Sequence, residues 1–496
     1  MFKYTIETVV FIGGAVIMIL ELVGSRILAP YIGTSIYVWT SLIGVVLGSL
    51  SIGYWWGGRL ADKKQSYVTL AAILFIAAIF IGVVAFFNSF LLSYLLPTSL
   101  DIRSKALIAT LILFGPPSVF LGAILPYAVR LKMKSVATSG RTVGKLYAFS
   151  TIGSILGTFI AGFFLIAYIG TTNSLLLLAA SMVVISLLVT LQRFIFSRLL
   201  VLMLLLASII GFQYFYNHQK EEGFVDVDTP YSRVWVFDAT DGDTKRPVRN
   251  MFVDGEIDSA MFLDGEDLAI EYTKFYDLAR HFKPDVNYSL MIGGGGYSYP
   301  KYFLKFYPEA KIDVVEIDPE LTELSYKYFN LPQSNRLIIY HEDGRTFLNK
   351  NGKTYDALFL DAFNSYSVPY QLTTREAVNR IYESLEKDGV VIVNIISSIG
   401  GKKGKFLRAE YLTFKEQFPQ VYLFPVQKRS DTTEQNIMLV ALKSGEKPRF
   451  SSSDPAINEM LSHLWRGEII YDAPILIDDY APVEQYVAEF LLNRSD

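Results

Sequence analysis

The sequence predicts an α-helical membrane bundle of about seven spans, followed by a small β-strand domain and an α/β domain with a parallel sheet. Of the 496 residues, 51% are apolar, and those before about residue 216 lie in long runs. Beyond residue 221 the apolar residues alternate with charged ones, and predicted strands alternate with predicted helices. The change in composition predicts domains at residues 1–218, 219–286 and 287–496.

The first part of the chain is predicted to cross a membrane. A span needs about 20 apolar residues, since each rises about 1.5 Å through about 30 Å of hydrocarbon, and in lipid it must be a helix. Small residues at Gly153 and Gly157, and at Gly44 and Gly48, favour close helix packing. Seven segments qualify as spans: residues 7–29, 37–57, 67–88, 106–128, 146–169, 173–192 and 198–216.

Charged residues in and around the spans bear on orientation and on function. Glu21 and Arg26 interrupt the first span, where they either pair within the bundle or contact a substrate or lipid. Basic residues are concentrated before the first span and in the loops after the second, fourth and sixth spans. The positive-inside rule therefore predicts a cytoplasmic N-terminus, and seven crossings put the C-terminal domains outside the cell. If the C-terminal domains bind a ligand that is made in the cytosol, they must lie on the cytoplasmic side, so the orientation stays open.

Composition also excludes some functions. The net charge of −3 gives no argument for nucleic-acid binding. The absence of cysteine excludes disulfides, thiolate metal sites and a cysteine nucleophile. His341 lies near Asp343, but no second ligand has metal-binding spacing, so we predict no metal. The predicted partner of the first part of the chain is the lipid bilayer.

The C-terminal half alternates between strand and helix patterns. Residues 221–285 contain short strands, separated by turn signals such as Asp254-Gly255. Strands are then predicted at 289–292, 311–317, 336–341, 357–360 and 390–395, and helices at 299–306, 319–328 and 374–385. Thr373 or Thr374 is the predicted cap of the last of these helices. This alternation predicts a parallel sheet with helices on both faces.

Four signals follow predicted strands, and ligands of such sheets bind beyond the carboxyl ends of the strands. The run Gly293–Gly296 follows the first strand, where glycines permit positive φ and close approach of backbone N–H groups. Glu316 ends the second strand and can accept two ribose hydroxyls, while Asp343 can accept from an amine such as that of adenine. Asp361 follows the fourth strand. Together they predict a site for a nucleoside-type cofactor; the alternatives are a tight turn and solvated or helix-capping acids.

These residues resemble those of the polyamine aminopropyltransferases, or spermidine synthases, and most of all the membrane-fused members of that superfamily. The resemblance rests on residues 290–298, 314–320, 343–345, 355–363 and 369–376, on a first-span pattern from Glu21 to Pro30, and on the tail from Asp479 to Glu484. It implies a Rossmann-like S-adenosylmethionine-type transferase fold preceded by a small β-domain. It also implies polyamine biosynthesis, a small-molecule amine or membrane-associated acceptor, and a possible homodimer.

The resemblance assigns roles to residues of this chain. Glu316 would hold the ribose and Asp343 the adenine of decarboxylated S-adenosylmethionine, and Asp361 would be the acid–base residue at an acceptor amine. Burial should raise the pKa of Asp361 toward that task. The other cofactor-binding residues are Gly293, Gly294, Gly295 and Gly344.

The sequence departs from the family at two positions that face amines. Soluble members carry aspartate where this chain has Gly296, and a second aspartate where it has Asn364. Asn364 and Tyr480 are the candidate substrate residues. The tail around Tyr480 could fold back over the pocket, and packing of a terminal helix is the alternative.

Three functions follow from these observations. The first is a membrane-bound transferase that moves an aminopropyl group from a decarboxylated S-adenosylmethionine-type donor to an amine. The second is an S-adenosylmethionine-dependent methyltransferase acting on a membrane-associated substrate, in which Gly296 would accommodate the methionine carboxylate. The third is a non-catalytic extracytoplasmic binding module or a polyamine transporter.

Overall fold

The chain forms two compact units that divide after Val234. The computed structural model describes residues 5–33, 35–95, 97–98, 100–133, 135–191, 195–221, 223–363, 368–427 and 430–491. The division falls inside the second strand of a small sheet, whereas the sequence predicted the three domains given above.

The described residues of the first unit form seven helices that are long and apolar enough to cross a membrane, as predicted. Their bounds differ from the predicted spans by several residues at some ends. They are α1 (Thr5–Ile32), α2 (Ile36–Lys63), α3 (Tyr67–Leu95), α4 (Ile102–Lys132), α5 (Ser139–Ile160, continued by a π-helix Ala161–Ile169), α6 (Thr171–Val189) and α7 (Ile195–Glu221).

Glycines bring two pairs of these helices into backbone contact. A Cβ atom on Gly153 would overlap the backbone carbonyl of Phe11, so α5 packs directly on α1 as the small-residue pattern predicted. The prediction for Gly44 and Gly48 is wrong, because no described atom lies within 4 Å of a Cβ added there. Helix α2, which carries both glycines, instead approaches α4 through other glycines, since a Cβ on Gly53 would overlap the backbone of α4.

The first helix carries charges that contact protein groups. Near its start, the buried carboxylate of Glu7 accepts from the ammonium groups of Lys132, at 3.2 Å, and Lys145, at 3.0 Å. Near its end, Arg26 donates to the backbone carbonyl of Pro230. Arg26 therefore contacts the protein backbone, in addition to the two roles that the sequence allows, which are pairing within the bundle and contact with a substrate or lipid.

A four-stranded sheet follows, in the order β1-β2-β3-β4. Strands β3 and β4 form an antiparallel hairpin. Its two turn residues, Asp254 and Gly255, have φ of 49° and 87°, the backbone that an Asp-Gly hairpin turn requires. The predicted turn is therefore confirmed. The strands are β1 (Val225–Asp228), β2 (Arg233–Thr240), β3 (Pro247–Val253) and β4 (Glu256–Phe262).

The larger sheet has seven strands in the order β10-β11-β9-β8-β5-β6-β7. Its strands are β5 (Tyr288–Ile292), β6 (Lys311–Val315), β7 (Leu337–Tyr340), β8 (Tyr355–Leu360), β9 (Leu385–Ser397), β10 (Gln420–Pro425) and β11 (Gln435–Leu442). Its helices are α8 (Glu271–Lys274), α9 (Leu278–Phe282), α10 (Ser298–Phe306), α11 (Pro319–Tyr328), α12 (Gly344–Lys350), α13 (Arg375–Glu383), α14 (Lys405–Gln417), α15 (Pro455–Ser462) and α16 (Val483–Leu491).

The predicted parallel sheet is confirmed for β5 to β9, and the antiparallel pair β10 and β11 extends it. Thr374 caps α13, as one of the two predicted alternatives. The predicted helix 374–385 is too long, because Leu385 already pairs with Tyr355 of β8. From β5 the chain builds the sheet toward β7, then returns to place β8 on the other side of β5. Such a switch point opens a crevice at the carboxyl ends of the strands.

The seven crossings and the loop charges together generate a prediction of orientation. Because the chain contains no cysteine, single cysteines report on it without a background. Ser135, between α4 and α5, and Ser451, after β11, are both exposed. The positive-inside rule predicts that a membrane-impermeant maleimide labels the Ser451→Cys variant in intact cells and the Ser135→Cys variant only after lysis, whereas a ligand made in the cytosol predicts the reverse. The reverse pattern would put the C-terminal unit in the cytosol.

Candidate functional site

Strand register brings the strand-end residues together. Ile292 of β5 lies opposite Val315 of β6 and opposite Leu360 of β8. The next residue of each strand is a predicted site residue: Gly293, Glu316 and Asp361. The backbone ladder continues through them, since Gly293 N–H donates to the Val315 carbonyl at 2.9 Å and Asp361 N–H donates to the Ile292 carbonyl at 2.9 Å. These three predicted residues therefore lie side by side at one edge of the sheet.

The glycine loop after β5 has a backbone that other residues would not tolerate. Gly293 and Gly295 have φ of 95° and 48°. A Cβ on Gly293 would overlap the carbonyl of Asp361, and a Cβ on Gly295 would overlap the carboxylate of Asp258. Gly294 lies against the ring of Tyr297, which is fully buried. The loop thus packs closely against β8 and β4.

Glu316 holds the glycine loop through its carboxylate. Its Oε2 accepts from the N–H groups of Gly294, at 2.8 Å, and Gly295, at 3.1 Å. Its Oε1 accepts from Asp318 N–H at 2.9 Å. A carboxylate has about four acceptor positions, so one position on Oε1 is left for a ligand hydroxyl. Burial raises the pKa of Glu316 to about 7, with a contribution from the charge of Asp258 and against the effect of these hydrogen bonds.

Asp343 and Gly344 begin helix α12 beside the end of β5. Asp343 is the N-cap, because its Oδ1 accepts from Thr346 N–H at 2.8 Å. The helix-capping alternative is therefore realised. A Cβ on Gly344 would come within 2.6 Å of the Ile292 side chain, so glycine permits the helix to start against β5.

Asp361 lies in a polar pocket formed by neighbouring strands and by α8. Its Oδ2 accepts from the Tyr272 hydroxyl at 3.1 Å, and its Oδ1 accepts from Asn394 Nδ2 at 3.1 Å. Asn394 is held in turn by Asn436, which donates to its side-chain oxygen at 3.0 Å. Burial raises the pKa of Asp361 to about 6, and the charge of Asp258 adds to it, while Asn394, Tyr272 and Tyr276 oppose the rise. The rise predicted from the sequence agrees with this direction.

Four residues of the pocket were missed by the sequence analysis: Asp258, Tyr272, Tyr276 and Asn394. A lone polar residue inside the apolar run of β9 was a usable signal for Asn394. The two tyrosines stand among many aromatic residues and gave none. Burial and the charge of Asp361 raise the pKa of Tyr272, which therefore remains a proton donor.

The two candidate substrate residues are not placed in this pocket. Asn364 lies outside the described residues. Tyr480 is 58% exposed, and within the described part of the chain its side chain makes no hydrogen bond to the other candidates. Helix α16 directly after it packs Val483 and Tyr486 into the core, which is the helix-packing alternative. No three metal-ligating side chains converge in the part of the chain that the structure describes.

The fit of the glycine loop generates a prediction of stability. We expect Gly293→Ala to lower the free energy of unfolding by about 1–3 kcal/mol, since alanine is strained at positive φ and its methyl group would overlap β8. Gly352→Ala is the matched control, because no described atom lies within 4 Å of a Cβ there. Urea unfolding of the detergent-solubilised chain measures both. Equal midpoints for the two variants would contradict the packing described here.

The part of the chain that forms this pocket is similar to known proteins. Residues 273–425 match the family model of the spermine/spermidine synthase domain. The chain is 31% identical over 164 residues to the polyamine aminopropyltransferase of Vibrio vulnificus, covering 32% of this chain and 53% of that protein. It is 30% identical over 147 residues to that of Streptococcus uberis, covering 29% of this chain and 50% of that protein. The chain thus spans about half the length of these curated relatives.

Among solved structures, a probable spermidine synthase from Corynebacterium glutamicum is similar at 22% identity, with a TM-score of 0.40, over 52% of this chain and 90% of that one. The matched segment 273–425 contains the glycine loop, Glu316, Asp343 and Asp361, whereas Asp258 precedes it. The second unit of the chain contains a segment that matches the spermine/spermidine synthase domain, as the resemblance to the polyamine aminopropyltransferases predicted.

Proposed function

We propose that this domain is a transferase that moves an aminopropyl group from a decarboxylated S-adenosylmethionine-type donor to an amine. The observation that supports it most is the position of Asp361. This partly buried carboxylate lies beside the glycine loop and Glu316, at the switch point of the sheet, and two donors orient it. A general base needs that combination of orientation and raised pKa.

The donor would bind through its adenosine. The remaining acceptor position of Glu316 takes one ribose hydroxyl. The second hydroxyl displaces one of the hydrogen bonds that the N–H groups of Gly294 and Gly295 now donate to Oε2. Asp343 Oδ2 accepts from the adenine amine. In its place Gln371 Nε2 now donates to this oxygen at 3.4 Å, a long and weak hydrogen bond. Because its glycines have no side chains, the loop lets the carbon chain attached to the sulfur of the donor pass close to the backbone.

The transfer is a direct displacement. The acceptor nitrogen attacks the carbon attached to the positively charged sulfur, and the carbon–nitrogen bond forms as the carbon–sulfur bond breaks. The bonding electron pair goes to sulfur, which leaves as a neutral thioether nucleoside. The surplus proton on nitrogen passes to Asp361. Holding both reactants in line at one edge of the sheet supplies much of the rate.

The raised pKa of Asp361 suits the proton transfer. With a pKa of about 6 the carboxylate is a stronger base than an exposed aspartate and is still mostly ionised at neutral pH. Tyr272 and Asn394 fix its orientation while leaving acceptor capacity for an N–H group.

A methyltransferase is the second candidate, and Gly296 in place of the family aspartate favours it. We expect calorimetry on the purified chain to show binding of decarboxylated S-adenosylmethionine and weaker binding of the intact form. Tighter binding of the intact form would favour methyl transfer. Binding of neither nucleoside would favour a non-catalytic module or a transporter.

We expect Asp361→Asn to lower the rate of aminopropyl transfer by about 10²–10⁴-fold, because the variant loses the base. Donor affinity should stay near that of the wild type, since Asp361 faces the acceptor. The wild-type rate should rise with pH through about 6, where Asp361 loses its proton, and then level off. Single-turnover rates across pH 5–8 measure both effects.

The control for this variant is Asp388→Asn, which removes a carboxylate that is 61% exposed and pairs with Lys283. It should keep the wild-type rate and pH profile. A Asp361→Asn variant as active as this control would exclude Asp361 as the base.

A further inference from the structure

Asp258 reaches the glycine loop from outside the matched segment. The register of the β3–β4 hairpin shifts between Met251, opposite Ser259, and Phe252, opposite Ile257, so Asp258 has no residue opposite it. This is a β-bulge, a feature that redirects a side chain. The Asp258 carboxylate is directed to Gly295, where it occupies the position that a Cβ atom would need.

The residue beside Asp258 fills the space that a family aspartate would occupy. Ser259 Oγ accepts from Gly296 N–H at 2.8 Å and donates to Asp258 Oδ2 at 2.8 Å. A Cβ on Gly296 would come within 2.7 Å of the Ser259 Cβ atom. A side chain at position 296 would therefore meet Ser259, and Asp258 is the acid that reaches this part of the loop.

Three acids lie close enough to influence one another: Glu316 is buried, and Asp258 and Asp361 are partly buried. The charge of Asp258 raises the pKa of both Glu316 and Asp361, and burial raises the pKa of Asp258 itself. No lysine or arginine among the described residues forms an ion pair with any of the three. Buried carboxylates without a cation are costly, and a cationic ligand would relieve that cost.

A second observation points to a ligand in the same pocket. Tyr276 is 0% exposed, and its hydroxyl has no partner at normal hydrogen-bond distance among the described residues, although it lies close enough to Asp361 to lower the pKa of that carboxyl. The charge of Asp361 acts on this hydroxyl, so it faces the acid that receives the amine proton. A buried hydroxyl without a partner is rare in folded proteins unless a ligand or water completes it.

We propose that Asp258 replaces the loop aspartate lost at Gly296 and selects a sulfonium nucleoside that carries no carboxylate. This rests on the proposed function. The decarboxylated donor carries a sulfonium and an ammonium group, both of which the carboxylate of Asp258 attracts. The intact donor adds a carboxylate beside Asp258, where like charges repel.

Calorimetry with two probes tests this selection: decarboxylated S-adenosylmethionine and intact S-adenosylmethionine, on wild type and on Asp258→Asn. Loss of one charge within a few ångströms changes an ionic equilibrium by about 10-fold or more. We expect the wild type to prefer the decarboxylated form by about 10-fold or more. The variant should lose most of that preference, mainly through weaker binding of the decarboxylated form.

The matched control is Asp267→Asn, which removes a carboxylate that is 75% exposed and should keep the wild-type preference. Asp258→Ser is a second neutral variant in case asparagine disturbs the hairpin, and it should behave alike. If neither variant folds, the wild type alone decides, because equal binding of the two probes overturns the inference.

The outcomes separate this inference from the proposed function. Wild type that binds neither nucleoside overturns both. Wild type that prefers the intact form overturns the selection by Asp258 and favours methyl transfer. A wild-type preference that Asp258→Asn leaves unchanged overturns the inference, while aminopropyl transfer stands.

Discussion

The register of three parallel strands is the constraint on which the site depends. Because Ile292 lies opposite both Val315 and Leu360, the chain leaves β5, β6 and β8 at the same level of the sheet. The first residues beyond are glycine, glutamate and aspartate. A shift of one residue in any strand would move its acid away from this edge and reverse the faces of its buried side chains.

The site concentrates negative charge where the protein supplies little compensation. Backbone N–H groups satisfy Glu316, while a phenol and an amide satisfy Asp361. Neutral donors stabilise a buried carboxylate only partly, which explains why burial still raises the pKa values of these acids. The arrangement is suited to bind a cation and to take up a proton, and aminopropyl transfer needs both.

Part of this site was accessible from local pattern. Each of Gly293, Glu316, Asp343 and Asp361 follows a strand that hydrophobicity alone reveals, and parallel strands end at a common edge. Two predictions failed because they needed contacts between distant segments. Gly44 and Gly48 have the spacing of a helix-packing pair, but they lie on a face of α2 that no described neighbour contacts. Leu385 continues a helical pattern, yet pairing with Tyr355 draws it into a strand.

The sequence by itself determined the seven apolar helices, the alternation of strands and helices, and the acids at strand ends, because each depends on residues close together in the chain. Only the tertiary structure decided which groups surround Asp361. Tyr272 lies 89 residues from it along the chain, and Asn394 lies 33. The direction of Asp258 depends on a bulge, which is a mismatch between two paired strands. No single strand contains the information that sets such a mismatch, because it arises only when the second strand is present.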